Sequence, residues 1–135
     1  MRLLIDTNVF LAQIEGRSID PKWAEALDDA DQVFLSAVSM WEIAIKHRKG
    51  KLTLSAEPAA VVHSGMEQLQ LMPLDITSRH ALATSGLPLH HKDPFDRLLI
   101  AQALCERLTI VTSDRIIRKY DVPVFGHKSR RPKAD

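Results

Sequence analysis

Short, wholly apolar runs that alternate with segments of helical spacing are the feature that most constrains this fold. The runs lie at residues 3–5, 33–35 and 109–111, and a weaker one at 71–74 contains a proline, which favours a sheet edge. A strand that is apolar on both sides needs cover on both sides, which is typical of parallel sheets. The pattern therefore predicts an α/β fold in which a mainly parallel central sheet is flanked by helices on both faces.

Capping residues mark where the helices begin. The predicted helices cover residues 9–14, 21–30, 39–49, 58–69, 78–86 and 94–107, followed by a short helix to 120 and a last strand at 122–125. Asp20 before Pro21 is a typical N-terminal cap. Ser39 and Glu42 match the capping box, which places the start of the third helix at Ser39 and offers a purely structural role for Glu42.

Length and charge limit the number of domains and the kinds of partner. A chain of 135 residues suits one domain, and its hydrophobic content of 45% is enough for a single core. With 18 Lys and Arg against 17 Asp and Glu, the formal charge is +1, which argues against a disordered chain and a strongly basic nucleic-acid clamp. We expect one folded domain over residues 1–126 and a flexible, basic tail over residues 127–135.

Cysteine content and hydropathy indicate the compartment. The single cysteine, Cys105, excludes an internal disulfide and a Cys-based zinc site, and it favours a reducing compartment. No apolar stretch is long enough for a membrane span, and no cleavable signal precedes the first strand. We therefore expect a cytoplasmic protein without a membrane partner.

Four acidic residues follow strands or open helices. Asp6 and Asp114 come directly after predicted strands, while Glu42 and Asp96 fall in the first turns of predicted helices. Taken alone, each acid has a purely structural explanation as part of a helix cap or as a turn residue, and none by itself indicates a site. Because binding sites in open α/β sheets collect beyond the carboxyl ends of the strands, the four together predict a shared site.

The chemistry of such a site follows from its charge. Carboxylates within about 4 to 6 Å of one another repel unless a divalent cation shares them. Oxygen ligands without a cysteine or a histidine pair favour Mg²⁺ or Mn²⁺ over zinc. Such an ion activates water and neutralises charge that develops on a phosphate, so hydrolysis of phosphodiesters is the leading class of reaction.

Ordered segments of the chain carry a family resemblance. These segments are Leu4-Ile5-Asp6-Thr7-Asn8, the isolated Glu42, the long run at residues 91–103 and Val111-Thr112-Ser113-Asp114. They resemble the motifs of the PIN domain and, more closely, of the VapC-type ribonuclease toxins of bacterial type II toxin–antitoxin pairs. The resemblance extends from residue 3 to about residue 125, and the long run is its most specific part.

The resemblance implies roles for particular residues. The acidic quartet would be Asp6, Glu42, Asp96 and Asp114. Asp6 and Asp96, joined by Asp114, would hold the metal, and Glu42 would bind a second ion or position the attacking water. The side chains expected to orient the carboxylates and bound waters are Thr7, Asn8, Thr112 and Ser113. Asp93 is a rival to Asp96, but its place before Pro94 makes it the better helix cap.

The resemblance also implies an activity and partners. The protein would be an Mg²⁺- or Mn²⁺-dependent endoribonuclease, a homodimer, and the target of a cognate antitoxin. A basic cluster has two interpretations, since it would complement the dipole of its helix or hold the RNA backbone. This cluster consists of Lys46, Arg48, Lys49 and Lys51.

Other interpretations stay open. A PIN-like module that binds metal, RNA or a protein without catalysis, a phosphotransfer domain, and a DNA nuclease all use similar acids. His90 and His91 lie in a loop, where solvated side chains are commoner than RNA contacts. Trp23 and Trp41 are expected in the core or a dimer contact rather than as base-stacking platforms.

Overall fold

The computed structural model describes residues 1–126 and confirms the α/β fold with a parallel sheet. The four strands are β1 (Arg2–Ile5), β2 (Gln32–Ser36), β3 (Met72–Leu74) and β4 (Thr109–Val111). They lie in the order β3-β2-β1-β4, and every pair is parallel. The tail predicted at residues 127–135 lies outside the described residues. Its boundary at residue 126 therefore stays a prediction.

Six α-helices surround the sheet, and none of them, within residues 1–126, is long and apolar enough to cross a membrane. They are α1 (Thr7–Ile14), α2 (Pro21–Asp29), α3 (Ala37–Arg48), α4 (Pro58–Leu69), α5 (Ser78–Ala83) and α6 (Pro94–Glu106). Two short 3₁₀ helices are also present, one between α5 and α6 at Thr84–Gly86 and one after β4 at Ile117–Lys119. The alternation of strands and helices predicted from the sequence is thus present.

Side chains of β1 divide the core between the two faces of the sheet. Leu4 packs on one face with Ile100 of α6, whereas Leu3 and Ile5 pack on the other with Phe10 of α1. All five side chains are completely buried. Because alternate residues of a strand point to opposite faces, a wholly apolar strand requires helices on both sides, as the sequence predicted.

The start of α3 differs from the prediction. Ser36 is the cap, since its hydroxyl accepts a hydrogen bond of 2.9 Å from the backbone N–H of Val38. Ser39 lies inside the helix, so the predicted capping box with Glu42 is wrong. The physical reason is that β2 runs directly into α3, and the last strand residue serves as the cap. Glu42 consequently lies in the second turn rather than the first.

The ends of the sheet give one confirmation and one correction. β3 forms an edge strand that contains Pro73, as predicted. The last strand expected at residues 122–125 is reduced to a single bridge between Val124 and Ile110. Two backbone hydrogen bonds, from Ile110 to Pro123 and from Phe125 to Ile110, hold this short segment beside β4.

A buried polar contact orients α6 relative to the sheet. The amide of Gln102, completely buried, accepts a hydrogen bond from the Ser36 hydroxyl and donates one of 3.2 Å to the carbonyl of Asp75. A buried amide without such partners would cost roughly 1 to 3 kcal/mol, so the contact favours one position of the helix.

The contact between α1 and α4 leads to a stability prediction. A Cβ atom at Gly65 would lie 2.8 Å from both Phe10 Cζ and Ile14 Cγ2, and the Phe10 ring is fully buried. We expect Gly65→Ala to lower the free energy of unfolding by about 1 kcal/mol or more, because overpacking outweighs the gain in helix propensity. Urea unfolding measures the change.

Gly86→Ala is the matched control, since a Cβ there meets nothing within 4 Å. We expect its stability to stay within about 0.5 kcal/mol of the wild type, as for other unhindered surface changes. A Gly65→Ala variant as stable as Gly86→Ala would contradict the tight packing of α4.

Candidate metal centre

The structure brings the four predicted acids to one cleft at the carboxyl edge of the sheet. The cleft has a volume of about 120 Å³. Its lining consists of Asp6, Thr7, Asn8, Glu42, Lys46, Asp93, Asp96 and Asp114. Strand β1 delivers Asp6, strand β4 delivers Asp114, and helices α3 and α6 deliver the other two acids of the quartet.

Asp6 acts as a helix cap and also lines the cleft. Its Oδ1 atom accepts a hydrogen bond of 2.8 Å from the backbone N–H of Val9, and its Oδ2 atom accepts one from the Thr112 hydroxyl. Burial raises the pKa of this carboxyl, although both hydrogen bonds lower it. The carboxylate is therefore held in one orientation at some cost in solvation.

Glu42 is held by two donors of different character. The Thr7 hydroxyl donates to its Oε1 atom at 2.6 Å, and the Lys46 ammonium donates to its Oε2 atom at 2.5 Å. The hydrogen bond to Glu42 also raises the pKa of Lys46. Of the predicted basic cluster, Lys46 thus faces the acids, while Arg48, Lys49 and Lys51 are exposed at the end of α3.

The neighbouring acids Asp93 and Asp96 have different environments. Asp93 caps α6, since its Oδ1 atom accepts from the backbone N–H of Phe95 at 2.8 Å and of Asp96 at 3.4 Å. The side chain of Asp96 points into the cleft and is 24% exposed. Burial, followed by the nearby charge of Asp93, raises the pKa of Asp96 to about 7.

His91 is the residue of the cleft region that the sequence analysis missed. Its Nε2 atom lies 2.9 Å from Asp96 Oδ2 and 3.0 Å from Asp114 Oδ2, and ligand atoms of the three residues lie within 4.8 Å of one another. The side chain is only 12% exposed, so its interpretation as a solvated loop residue is wrong. The available signal was its position at the start of the long run at residues 91–103.

Opposing effects act on the carboxyl group of Asp114. Burial raises its pKa, but hydrogen bonds from His91 and from the backbone N–H of Ile116 lower it, and the net shift is downward. Asp114 therefore stays ionised beside Asp96, whose pKa is shifted in the opposite direction.

The other predicted side chains differ in their placement. Thr7 and Thr112 donate to Glu42 and Asp6, as expected for groups that orient carboxylates. Asn8 lines the cleft from an exposed position, whereas Ser113 is exposed and does not line it. The sequence pattern could not separate these cases, because neighbouring residues after a strand point in different directions.

Arg97 was also not assigned from the sequence. Its guanidinium donates to the carbonyl groups of Pro88 at 2.7 Å and Thr84 at 3.0 Å. These bonds tie the loop that precedes α6 to the helix itself. The loop thereby presents His91 to the cleft in a defined position.

The two tryptophans have different surroundings. Trp23 is half-buried against the core, as expected. Trp41 is 55% exposed and packs edge-on against Phe95, with ring centroids 5.1 Å apart, so a core position for Trp41 is wrong. A dimer contact or base stacking stays open for it.

A parallel sheet with acids converging at its carboxyl edge is the arrangement expected of PIN domains. A family model for the PIN domain matches residues 3–123, and the chain belongs to that family. It is 28% identical over 125 residues to Ribonuclease VapC22 of Mycobacterium tuberculosis, a match that covers 90% of this chain and 93% of the relative. The predicted resemblance is therefore confirmed.

Solved structures with the same fold include toxin–antitoxin proteins. The chain superposes on VapBC2 from Rickettsia felis, bound to a DNA fragment from their promoter, with a TM-score of 0.70, 13% identity, and coverage of 92% of this chain and 96% of that one. FitAcB from Neisseria gonorrhoeae gives a TM-score of 0.63 and 23% identity with the same coverage. At these identities the likeness shows the fold.

The raised pKa of Asp96 generates a prediction for the metal-free protein. Because the folded state keeps this proton up to a pH of about 7 while the unfolded chain releases it near 3.8, stability falls as the pH rises through that interval. We expect Asp96→Asn, which cannot ionise, to gain stability over the wild type across the interval, reaching about 1 to 2 kcal/mol above pH 7 after allowance for solvent screening.

Urea unfolding in EDTA from pH 4 to pH 8 measures this difference. Asp28→Asn, which replaces an exposed carboxyl on α2, is the control and should show no such trend. A stability difference between Asp96→Asn and the wild type that is constant across the pH range would contradict the shifted pKa.

Proposed function

We infer that this protein is the ribonuclease toxin of a type II toxin–antitoxin pair and hydrolyses RNA phosphodiester bonds with Mg²⁺ or Mn²⁺. The observation that carries this inference is the convergence of five carboxylates, from four separate segments, in one cleft of about 120 Å³. Burial raises the pKa of Asp6 and Asp96 there. A cation that binds these carboxylates would relieve the cost of ionising them.

The donor set fits a hard divalent cation. Asp6, Asp96 and Asp114 would hold it with carboxylate oxygens, and water would complete the coordination, which suits Mg²⁺ or Mn²⁺. When bound, the ion supplies charge stabilisation to the phosphate and lowers the pKa of a water molecule. Thr112 and the Val9 N–H keep Asp6 oriented, so the ligand does not have to reorganise.

Glu42 and Lys46 have roles that do not require direct binding of the metal. Held by Thr7 and Lys46, the Glu42 carboxylate is positioned to orient the attacking water and accept its proton. Lys46, about half exposed at 46%, would offer its ammonium to a phosphate oxygen when RNA binds. The exposed cations at the end of α3, namely Arg48, Lys49 and Lys51, would extend this attraction along the backbone.

Similarity supports RNA as the substrate and an antitoxin as the partner. The relative from Mycobacterium tuberculosis is named a ribonuclease, and a structure of the same fold is a toxin–antitoxin complex from Klebsiella pneumoniae, with a TM-score of 0.57. We propose by analogy that this chain forms a homodimer in the cytoplasm and is neutralised by a cognate antitoxin. A silent binding module with the same cleft is the alternative that the cleavage test distinguishes.

The decisive test is cleavage of mixed cellular RNA by the purified, antitoxin-free protein. We expect discrete products with Mg²⁺ or Mn²⁺, none with EDTA, and a loss of at least about 100-fold in Asp96→Asn, because the metal would lose one of its carboxylate ligands. Asp28→Asn should cleave like the wild type. Full activity of Asp96→Asn would remove this residue from the mechanism, and a folded, Mn²⁺-binding protein without cleavage would favour the silent module.

Thr112 provides a test of ligand orientation. Thr112→Val keeps the shape of this buried side chain but removes the hydroxyl that donates to Asp6. We expect Mn²⁺ affinity to fall by about 10-fold or more, as for other groups that orient metal ligands. Isothermal titration calorimetry measures it, with Thr112→Ser as the variant that keeps the hydroxyl. Equal affinities for the two variants would mean that this hydrogen bond is dispensable.

A further inference from the structure

The imidazole of His91 is in contact with two of the proposed metal ligands but has no part in the proposed mechanism. Its Nε2 atom lies 3.0 Å from Asp114 Oδ2, to which it is hydrogen-bonded, and 2.9 Å from Asp96 Oδ2. The question is whether this ring is a ligand of the cation or occupies its place.

The hydrogen bonds of the ring determine which nitrogen carries the proton. The Nδ1 atom accepts a bond of 3.2 Å from the backbone N–H of Asp93, so its lone pair is engaged. A ring nitrogen that accepts a hydrogen bond carries no proton, so the ring proton lies on Nε2. In this arrangement Nε2 has no lone pair to offer to a metal ion, although neutral nitrogen is otherwise a good ligand.

The main chain at His91 is held independently of the ring. The backbone N–H of His91 donates to the hydroxyl of Tyr120 at 2.8 Å, and the Tyr120 side chain is 3% exposed. Rotation of the imidazole away from the acids would break the contacts of the ring but leave this backbone bond in place. The ring can thus turn away from the two acids without unfolding of the loop.

The ring proton and a cation require the same oxygen lone pairs. Ligand atoms of His91, Asp96 and Asp114 lie within 4.8 Å of one another. An Mg²⁺ or Mn²⁺ ion that bound both oxygens, at about 2.1 Å for Mg²⁺, would lie beside an N–H whose positive end points into the same space. Simultaneous occupation is therefore unfavourable in both electrostatic and steric terms.

We propose that His91 sets the affinity of the cleft for its divalent cation by occupying, with its Nε2–H group, the place between Asp96 and Asp114 that the cation must take. This inference rests on the proposed metal site. Without the cation, the N–H group relieves the repulsion between the two carboxylates and stabilises the empty site. The ring would have to leave this place when the cation binds. The free energy of its lost hydrogen bond would then reduce the free energy of metal binding.

Three possible roles of His91 predict different combinations of two measurements. If His91 competes with the cation, its replacement gives a protein that binds the cation more tightly and is less stable without it. If His91 is a metal ligand, its replacement weakens cation binding. If His91 only supports the loop, its replacement lowers the stability and leaves the affinity unchanged or reduced.

The experiment is calorimetric titration of the full chain with Mn²⁺ at one fixed pH, alongside thermal unfolding in EDTA. For His91→Ala we expect the Kd for Mn²⁺ to fall about five- to tenfold, the range that a hydrogen bond to a charged group allows, and the Tm of the metal-free protein to fall. His90→Ala is the matched control, because it removes the neighbouring imidazole, which packs edge-on against Tyr120 with ring centroids 5.0 Å apart. We expect it to leave the Kd unchanged. A His91→Ala variant with an equal or larger Kd overturns the proposal.

A spectroscopic measurement on the unaltered protein tests the proposal even if His91→Ala fails to fold. Electron spin echo modulation of bound Mn²⁺ detects a directly coordinated imidazole nitrogen. We expect no such coupling in the wild type, because the ring does not coordinate the ion and leaves the place that the ion takes. A directly bound nitrogen would make His91 a ligand and refute the competition.

Asp96→Asn separates failure of this proposal from failure of the proposed function. If Asp96→Asn weakens Mn²⁺ binding while His91→Ala does not tighten it, only the role of His91 is wrong. If Asp96→Asn leaves the Kd unchanged, the metal site itself is wrong, and the competition is refuted with it.

Discussion

Repulsion among carboxylates that share a half-buried cleft is the constraint on which the rest of this structure depends. A parallel sheet places the ends of its strands, and the first turns of the helices that follow, at one edge. Here that geometry brings Asp6, Glu42, Asp96 and Asp114 together. Burial makes the ionisation of Asp6 and Asp96 costly, and it raises the pKa of both carboxyl groups. The protein must offset this cost through its own donors or through a bound cation.

The donors around the cleft come from different parts of the fold. Backbone N–H groups at the start of α1 and α6 bind Asp6 and Asp93, and hydroxyl groups of Thr7 and Thr112 bind the acids from the neighbouring segments. Lys46 supplies the one ammonium group among the residues that line the cleft. Each donor also fixes the orientation of its carboxylate. Capping, packing and the electrostatics of the site are therefore the same set of interactions.

Much of the fold could be predicted because its signals are local. Apolar runs identified the buried strands, and Asp20 and Asp93 cap their helices as expected. The start of α3 was missed because Ser36 and Ser39 are both plausible caps, and only the register of β2 against its neighbours decides between them. The last strand was predicted too long, because its length depends on how β4 pairs, which no local pattern encodes.

The sequence by itself determined the class of fold, the quartet of acids that follow strands or open helices, and the capping role of Asp93, because each of these depends on residue type and on position within its own segment. Tertiary structure decided what depends on the approach of distant segments. It turned Lys46 towards the acids, left Trp41 exposed and brought His91 between Asp96 and Asp114. The direction of a long side chain or a loop depends on its neighbours in space, and these are not its neighbours in the chain.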